Sequence, residues 1–403
     1  MTVDSTAAES ARHLMRSVLV YSDASQFGGH EAMTVEVARC LCKQEDVAVS
    51  FLYYEGNTRF ANELAKAAGH ATNLTPIPLP FKSQSLEALR SLVNVGKVRT
   101  LRRLMQEINP QVVLISQGRI EAGSLGLLAA NRAGFQTISY IPMAHSVSVS
   151  GSPVAVQIRE WVNRYFYRLP NRFITISASA REMLLSHGAT NAIEIVPNCI
   201  EFRPPLNTDR MSFRTTHGIR ATEYAVGIIG RYDFRQKAQD FALHAISKFR
   251  DRLCGYKFLL VGEGRDECKL REMITGLDLS SLVQLLPWSD NPARIYAGLD
   301  MLLIPSRFEG VPLVMLEGML HRLPIAATNA DGMAELLPQN WLFPFGNHEA
   351  LIDRVLAFRN GNHQELLEAH KKLVLTEFSS ERFCNNICNA ILQRQPSSVV
   401  SSR

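Results

Sequence analysis

Long apolar runs are missing from this chain of 403 residues. No stretch reaches the ~18 consecutive apolar residues of a membrane-spanning helix, so a helical channel or carrier is not expected. One-sided charge is missing too. Lys and Arg number 43 against 38 Asp and Glu, for a formal net charge of +5. That balance is too even to argue for a nucleic-acid partner. Cysteine is sparse and odd in number, with seven scattered residues, which is no disulfide scaffold. The first sixteen residues carry Asp4, Glu9 and Arg12 and no apolar core; no secretory leader is expected there, and the thiols are expected to be reduced in the cytoplasm. Cys384 and Cys388 stand four apart in a helical pattern. No cluster of His or Cys follows them, so helix packing is expected over a metal pair. What remains is an ordinary globular composition, 46% hydrophobic and 20% charged. The length exceeds one typical core and suits two domains.

The informative stretch runs from Ile304 to Met319, with sequence IPSRFEGVPLVMLEGM. The apolar run Met301 to Ile304 reads as a short buried strand, stopped by Pro305 and Ser306. Gly310 suits a tight turn. Pro312 suits the first turn of a helix, where its missing N–H costs nothing. A strand, a glycine turn and a helix N-terminus make a ready site for an anion, phosphate above all. Glu309 precedes the helix and Glu317 lies inside it. A carboxylate repels phosphate, so both are expected to face neutral hydroxyls. A nucleotide sugar, with phosphates in the middle and sugars at both ends, has the matching shape.

Glu309 and Glu317 also form an E-x7-E spacing. Together with PSRFEGVPLVMLEGM it resembles the retaining glycosyltransferases of family 4, which have the two-domain GT-B fold. Two Glu eight apart also arise by chance, as a capping residue and a solvated helix residue. The rest of the chain supplies further likenesses.

Ser17 to Tyr21 reads as the first strand, and Phe27-Gly-Gly-His-Glu31 opens a helix that runs to about Gln44. This is the start of a doubly wound unit, with its ligand side at the strand's carboxyl end. Gly28 and Gly29 leave room for close approach, and the family similarly carries a Gly-rich loop here, near the acceptor and the donor phosphate. Val47–Tyr54, Val112–Ser116, Thr137–Ile141 and Phe173–Ile176 read as further parallel strands. His145 follows one of them; it is either structural or, as its position resembles in the family, a contact for the transferred sugar. Ile195-Val-Pro-Asn-Cys-Ile-Glu201 resembles the family's P-N-G-I-D segment, with Cys199 in place of Gly.

The second half opens on the strand Tyr224 to Ile229. Gly230-Arg-Tyr-Asp-Phe-Arg-Gln-Lys237 follows. Arg231 and Lys237 are cations at a strand's carboxyl end, a planar fork and an exposed point charge suited to phosphate. The loop resembles the family's G-R-(x)n-K-G-x-D, whose Arg and Lys hold the diphosphate, with Ala238 where Gly is usual. Gly262-Glu-Gly264 begins a dinucleotide fingerprint, but Glu267 takes the place of its third Gly and the unit is not the first one. A nicotinamide enzyme is thereby set aside, and the family similarly has G-x-G along its nucleotide cleft. Asp331-Gly-Met-Ala-Glu335 resembles the family's G-G-x-P-E, with Asp and Ala as departures.

The resemblance implies an α/β GT-B protein with two Rossmann-like domains facing a cleft. An acceptor domain over 16–205 and a donor domain over 219–376 are expected, with a helix at about 380–393 returning to the first. The implied reaction is retaining transfer of a sugar from a nucleotide diphosphate donor to a hydroxyl acceptor, glycan or lipid-linked. Catalytic roles fall to Arg231, Lys237, Glu309 and His145. Donor binding falls to Gly28, Gly29, Gly230, Gly262, Gly310, Val311, Pro312, Leu313 and Glu317, with Glu317 on the ribose and Glu309 on the sugar. No cofactor and no metal is required, because two side-chain cations can neutralise the leaving diphosphate. The rivals are a hydrolase using the two Glu, a silent sugar-nucleotide binder and an epimerase of the same fold.

Ser85 to Ile108 adds one further expectation. Its apolar residues recur at helical spacing, with Gly96 as the expected break, and Arg90, Lys97, Arg99, Arg102 and Arg103 outnumber Glu87 and Glu107. Arg159, Arg164, Arg168 and Arg172, with Trp161 and Tyr165 among them, extend the pattern. It reads either as a peripheral contact with an anionic membrane or as a core helix with a solvated basic face.

Overall fold

The computed structural model describes residues 16–144, 153–201, 204, 206, 209–288 and 291–393, with 153–155 described by their backbone alone. The chain divides into two compact units. One contains the residues up to Pro197 together with those from Glu381; the other runs from Asn198 to Ser380.

The first unit alternates strands and helices. In order these are β1 (Arg16–Ser22), α1 (Gly29–Cys42), β2 (Val47–Tyr54), α2 (Thr58–Gly69), β3 (Leu74–Leu79), α3 (Glu87–Val93) and α4 (Val95–Ile108). Then come β4 (Val112–Ser116), α5 (Ser124–Ala133), β5 (Gln136–Tyr140), α6 (Pro153–Tyr167), β6 (Arg172–Thr175), α7 (Ala178–Ser186) and β7 (Ala192–Ile195). The strands form one sheet in the order β3-β2-β1-β4-β5-β6-β7, and every pairing is parallel. A parallel sheet needs helices on both faces, which is why strands such as Val18 to Tyr21 are apolar throughout and fully buried. β3 carries Pro76 and Pro78, which cannot donate to a ladder, and it lies at the sheet edge. The segment 85–108 is two helices. The break falls at Asn94, whose side chain accepts from the Lys97 N–H, and not at Gly96.

The second unit repeats the plan. Its elements are α8 (Asp209–Thr216), β8 (Tyr224–Ile229), α9 (Phe234–Lys237), α10 (Gln239–Lys248), β9 (Tyr256–Val261), α11 (Glu267–Gly276), β10 (Val283–Leu286) and α12 (Pro292–Gly298). β11 (Met301–Ile304), α13 (Leu313–Leu320), β12 (Ile325–Thr328), α14 (Asp331–Leu336), β13 (Leu342–Phe343), α15 (His348–Asn360) and α16 (Gln364–Glu377) complete it. The sheet order is β10-β9-β8-β11-β12-β13, again parallel throughout. In both sheets the order reverses once, between β1 and β4 and between β8 and β11. Ligands of doubly wound sheets bind at such switch points, outside the carboxyl ends of the strands. Pro312 caps α13 from an extended conformation and does not enter its first turn as expected.

The last helix, α17 (Ser380–Leu392), adds its residues from Glu381 to the first unit. Its closing carbonyls lack helical partners. Arg16 Nη1 donates to Leu392 O at 2.7 Å, and Arg172 Nη1 to Ala390 O at 2.6 Å. Phe383, Ile387, Cys388 and Ile391 are buried. Cys384 is joined by a disulfide to Cys40 of α1, 344 residues away, with the Cα atoms 5.0 Å apart. The expectation of seven reduced, separate thiols is thus overturned at one pair. The other five cysteines take no part in a disulfide. Among the described residues, no helix is long and apolar enough to cross a membrane.

Thiol titration of the denatured protein should therefore find five groups without reductant and seven with it. Cys384→Ser should lower unfolding free energy by about 2–4 kcal/mol under non-reducing conditions. Seven titratable thiols before reduction would contradict the cross-link.

Candidate functional site

In the second unit the loops after β8 and β11 leave the sheet at its switch point and meet. Lys237, the last residue of α9, places Nζ 2.5 Å from Glu309 Oε1. Ser306 Oγ donates to the same oxygen at 2.8 Å, and Gln236 Nε2 to Oε2 at 3.4 Å. Arg231 Nη2 donates to Gln236 Oε1 at 3.3 Å. Arg231, Lys237 and Glu309 are thus brought into one network with Gln236 and Ser306, which sequence reasoning passed over. The Lys237 side chain is only 17% exposed and that of Glu309 6%, so Lys237 is not the exposed cation expected of it. Removing one partner of a buried pair costs about 3–5 kcal/mol, because the other charge is left uncompensated.

The backbone is held as firmly. Arg307 N donates to Gln236 O, Thr328 Oγ1 to Ser306 O and Glu309 N to Asp331 Oδ2. A Cβ at Gly332 would lie 2.3 Å from Gly310 O, so only glycine permits this approach. Gly262 serves the same end. Its φ is +154°, and a Cβ there would fall 2.1 Å from Gly230 O. It brings the loop after β9 against the loop after β8. Two of the three departures from the family's glycines take left-handed backbone, Ala238 with φ +51° and Asp331 with φ +46°. Asp331 accepts that conformation and uses its carboxylate to hold the Glu309 N–H. Asp331→Gly should leave stability within ~1 kcal/mol, since relief of the left-handed strain offsets one lost hydrogen bond. Turnover should fall between about 10- and 100-fold through loosening of Glu309. Unchanged turnover would show that Asp331 does not position it.

Glu317 sits apart, on α13. Tyr296 of α12 donates its hydroxyl to Glu317 Oε2, and its ring stacks on His321 with centroids 5.1 Å apart. Glu317 lines a cavity of about 220 Å³ with Ile200, Glu201, Pro292, Tyr296 and Leu320. Burial raises the Glu317 carboxyl to about 7, against which the Tyr296 hydrogen bond pulls. Burial lowers His321 to about 4, helped by Lys371. A carboxyl raised in the folded state keeps its proton where the unfolded chain has lost it, so stability falls as pH rises from the unfolded value of 4.5 to about 7 and is flat above. Glu317→Gln should remove that slope and gain on the wild type at pH 8 relative to pH 5 in urea denaturation. Parallel curves for the two proteins would refute the shift.

In the first unit the switch point between β1 and β4 gathers a different set. Gly28 caps α1 and donates its N–H to Glu31 Oε2 at 2.8 Å; Gly29 opens the helix. His30 Nε2 lies 2.8 Å from Ser116 Oγ, which lies 2.7 Å from Thr34 Oγ1. Burial lowers His30 to about 3 and keeps it neutral. Asp23 accepts from Gly123 N at 3.0 Å and from Tyr21 Oη at 3.3 Å, and burial, then the Glu87 charge, raises it to about 7. Asp23 and His30 were missed in the sequence; their signal was a place just past β1 and in the first turn of α1. His145 lies outside the described residues.

Two Rossmann-order units, one with a cation–carboxylate pair at its switch point, define a GT-B glycosyltransferase. Residues 27–203 match the family "Glycosyltransferase Family 4", and residues 223–360 match "Glycosyl transferases group 1". Together they take in most of the chain, which belongs to the family-4 type of glycosyltransferase. A Haemophilus influenzae protein described as an uncharacterized glycosyltransferase is 24% identical over 313 residues, covering 77% of this chain and 80% of the relative. The Bacillus anthracis N-acetyl-alpha-D-glucosaminyl L-malate synthase is 26% identical over 195 residues, about half of each chain at 47% and 51%. Among solved structures, the Anabaena protein HepE in complex with UDP-glucose superposes with a TM-score of 0.76. It is 17% identical, covering 94% of this chain and 100% of that one.

Proposed function

We propose that this glycosyltransferase moves a sugar, with retention of anomeric configuration, from a nucleoside diphosphate donor to a hydroxyl on a glycan or lipid-linked acceptor. The unit from Asn198 to Ser380 takes the donor and the other takes the acceptor. The reading rests on one observation above others, the contact of Lys237 with Glu309 at the β8/β11 switch point. The leaving diphosphate gains negative charge as the glycosidic bond breaks. Lys237, with Arg231 beside it in the network, stabilises that charge more in the transition state than in the bound donor. The N–H groups of Gly310, Val311 and Leu313 supply further donors at the mouth of α13. A diphosphate drawn to Lys237 shares it with Glu309, and the freed carboxylate lone pairs accept from sugar hydroxyls. Glu317, in its cavity with Tyr296, accepts from the ribose. Gly230 and Gly262 line the donor side of the second unit. The acceptor attacks from the leaving-group face, so no protein nucleophile is needed. HepE's complex with UDP-glucose makes that donor the first to test. The protein works in the cytoplasm in peripheral contact with an anionic membrane.

Lys237→Ala should lower turnover ~10²-fold or more and lower stability as well, so Lys237→Met with Glu309→Gln serves as the folded control. In calorimetry Glu317→Ala should weaken UDP binding. Glu309→Ala should preserve or strengthen it, by leaving Lys237 uncompensated, while transfer is lost. Equal weakening of UDP binding in both single variants would refute the division of roles.

A further inference from the structure

We propose that the outer surface of α3 and α6, continued onto the start of α4, docks on an anionic lipid bilayer. All three helices send residues to one core, Ala88 from α3, Val98 and Leu101 from α4 and Val162 and Phe166 from α6. α3 packs against both α4 and α6. Past Val95, the apolar residues of α4 are therefore spent inward. Leu101 and Met105 are buried, and Arg99, Arg102 and Arg103 are its exposed face. On α3, at the first residue of α4 and on α6 the outward positions are different. Val93 is 75% exposed and Trp161 73%, with Leu89, Val95, Ile158 and Tyr165 also exposed. On α6 the exposed residues Ile158, Trp161, Arg164 and Tyr165 recur at helical spacing and form one outward stripe, with exposed Arg168 just past the helix end.

Charge selects the occupant. Arg90, Arg164 and Arg168 stand among these apolar side chains, with exposed Glu160 the carboxylate on the α6 stripe. Arg90, Val93 and Lys97 also line a groove of about 430 Å³ between α3 and α4, with the buried Glu87 at its side. Single apolar residues alternating with cations on convex helices suit a bilayer interface more than a matching protein surface. Trp and Tyr rings settle at headgroup depth, and Arg stems lie along apolar surface with their heads at phosphates. The surface deepens the proposed function by saying where the bilayer of a lipid-linked acceptor is met. Its test reads binding alone, so it can fail while the transfer reaction stands.

The full chain is floated with phosphatidylcholine vesicles, with and without phosphatidylglycerol, at low and high salt. It should float only with the anionic vesicles at low salt. Trp161 emission should shift to the blue on those vesicles, a shift absent in Trp161→Phe. Arg164→Ser with Arg168→Ser should lower partitioning about tenfold or more, with UDP binding unchanged as the control for folding. Failure to float at low salt would overturn the proposal, as would equal flotation with neutral vesicles. A dimer seen in sedimentation, broken by Trp161→Ser and formed without flotation, would give the surface to a second copy and overturn it too.

Discussion

Lys237 and Glu309 meet where β8 and β11 diverge, and much of the second unit is arranged so that they can. Two charges removed from water recover their hydration cost only if every remaining lone pair and proton finds a partner. Ser306 and Gln236 supply those partners. Asp331, Thr328 and Gln236 fix the backbone that carries them. Gly332 and Gly262 let the loops approach closely enough to do so. The result is a carboxylate and an ammonium held in register before any ligand arrives. Such preorganisation is what electrostatic catalysis requires, because nothing must reorient as charge develops.

The two carboxylates of the E-x7-E spacing differ in surroundings more than in sequence. Glu309 is neutralised by a lysine and faces the switch point. Glu317 has a tyrosine hydroxyl against it and is raised to about 7 by burial. A carboxyl poised near neutrality can exchange its proton as a hydroxyl-rich ligand enters or leaves the cavity it lines. Asp23, raised to about 7 in the first unit, shares this property at the other switch point. The cause is again burial, there reinforced by a second carboxylate.

Much of the fold was legible because parallel strands buried on both faces leave continuous apolar runs. β2, β4 and β8 fall within the residues their runs predict. β3 was not legible, since two prolines hide a strand that edge placement tolerates. The Cys40–Cys384 link was not legible either. Its partners stand 344 residues apart, and only the return of α17 brings them together. At the candidate site, local spacing marked Arg231, Lys237, Glu309 and Glu317. It could not show that Lys237 is buried against Glu309, or that Asp331 holds the Glu309 backbone across 22 residues. Those are long-range contacts, and no periodicity records them. The departures from family glycines at 238 and 331 looked like minor changes in sequence; in the structure both occupy left-handed backbone.

The central claim is that transfer proceeds with retention at this preorganised pair. It is tested most directly by proton NMR of the sugar first released from α-linked UDP-glucose, followed from the start of the reaction. The α-anomer should appear first and the β-anomer only later, by mutarotation in solution. Initial release of the β-anomer would contradict the mechanism.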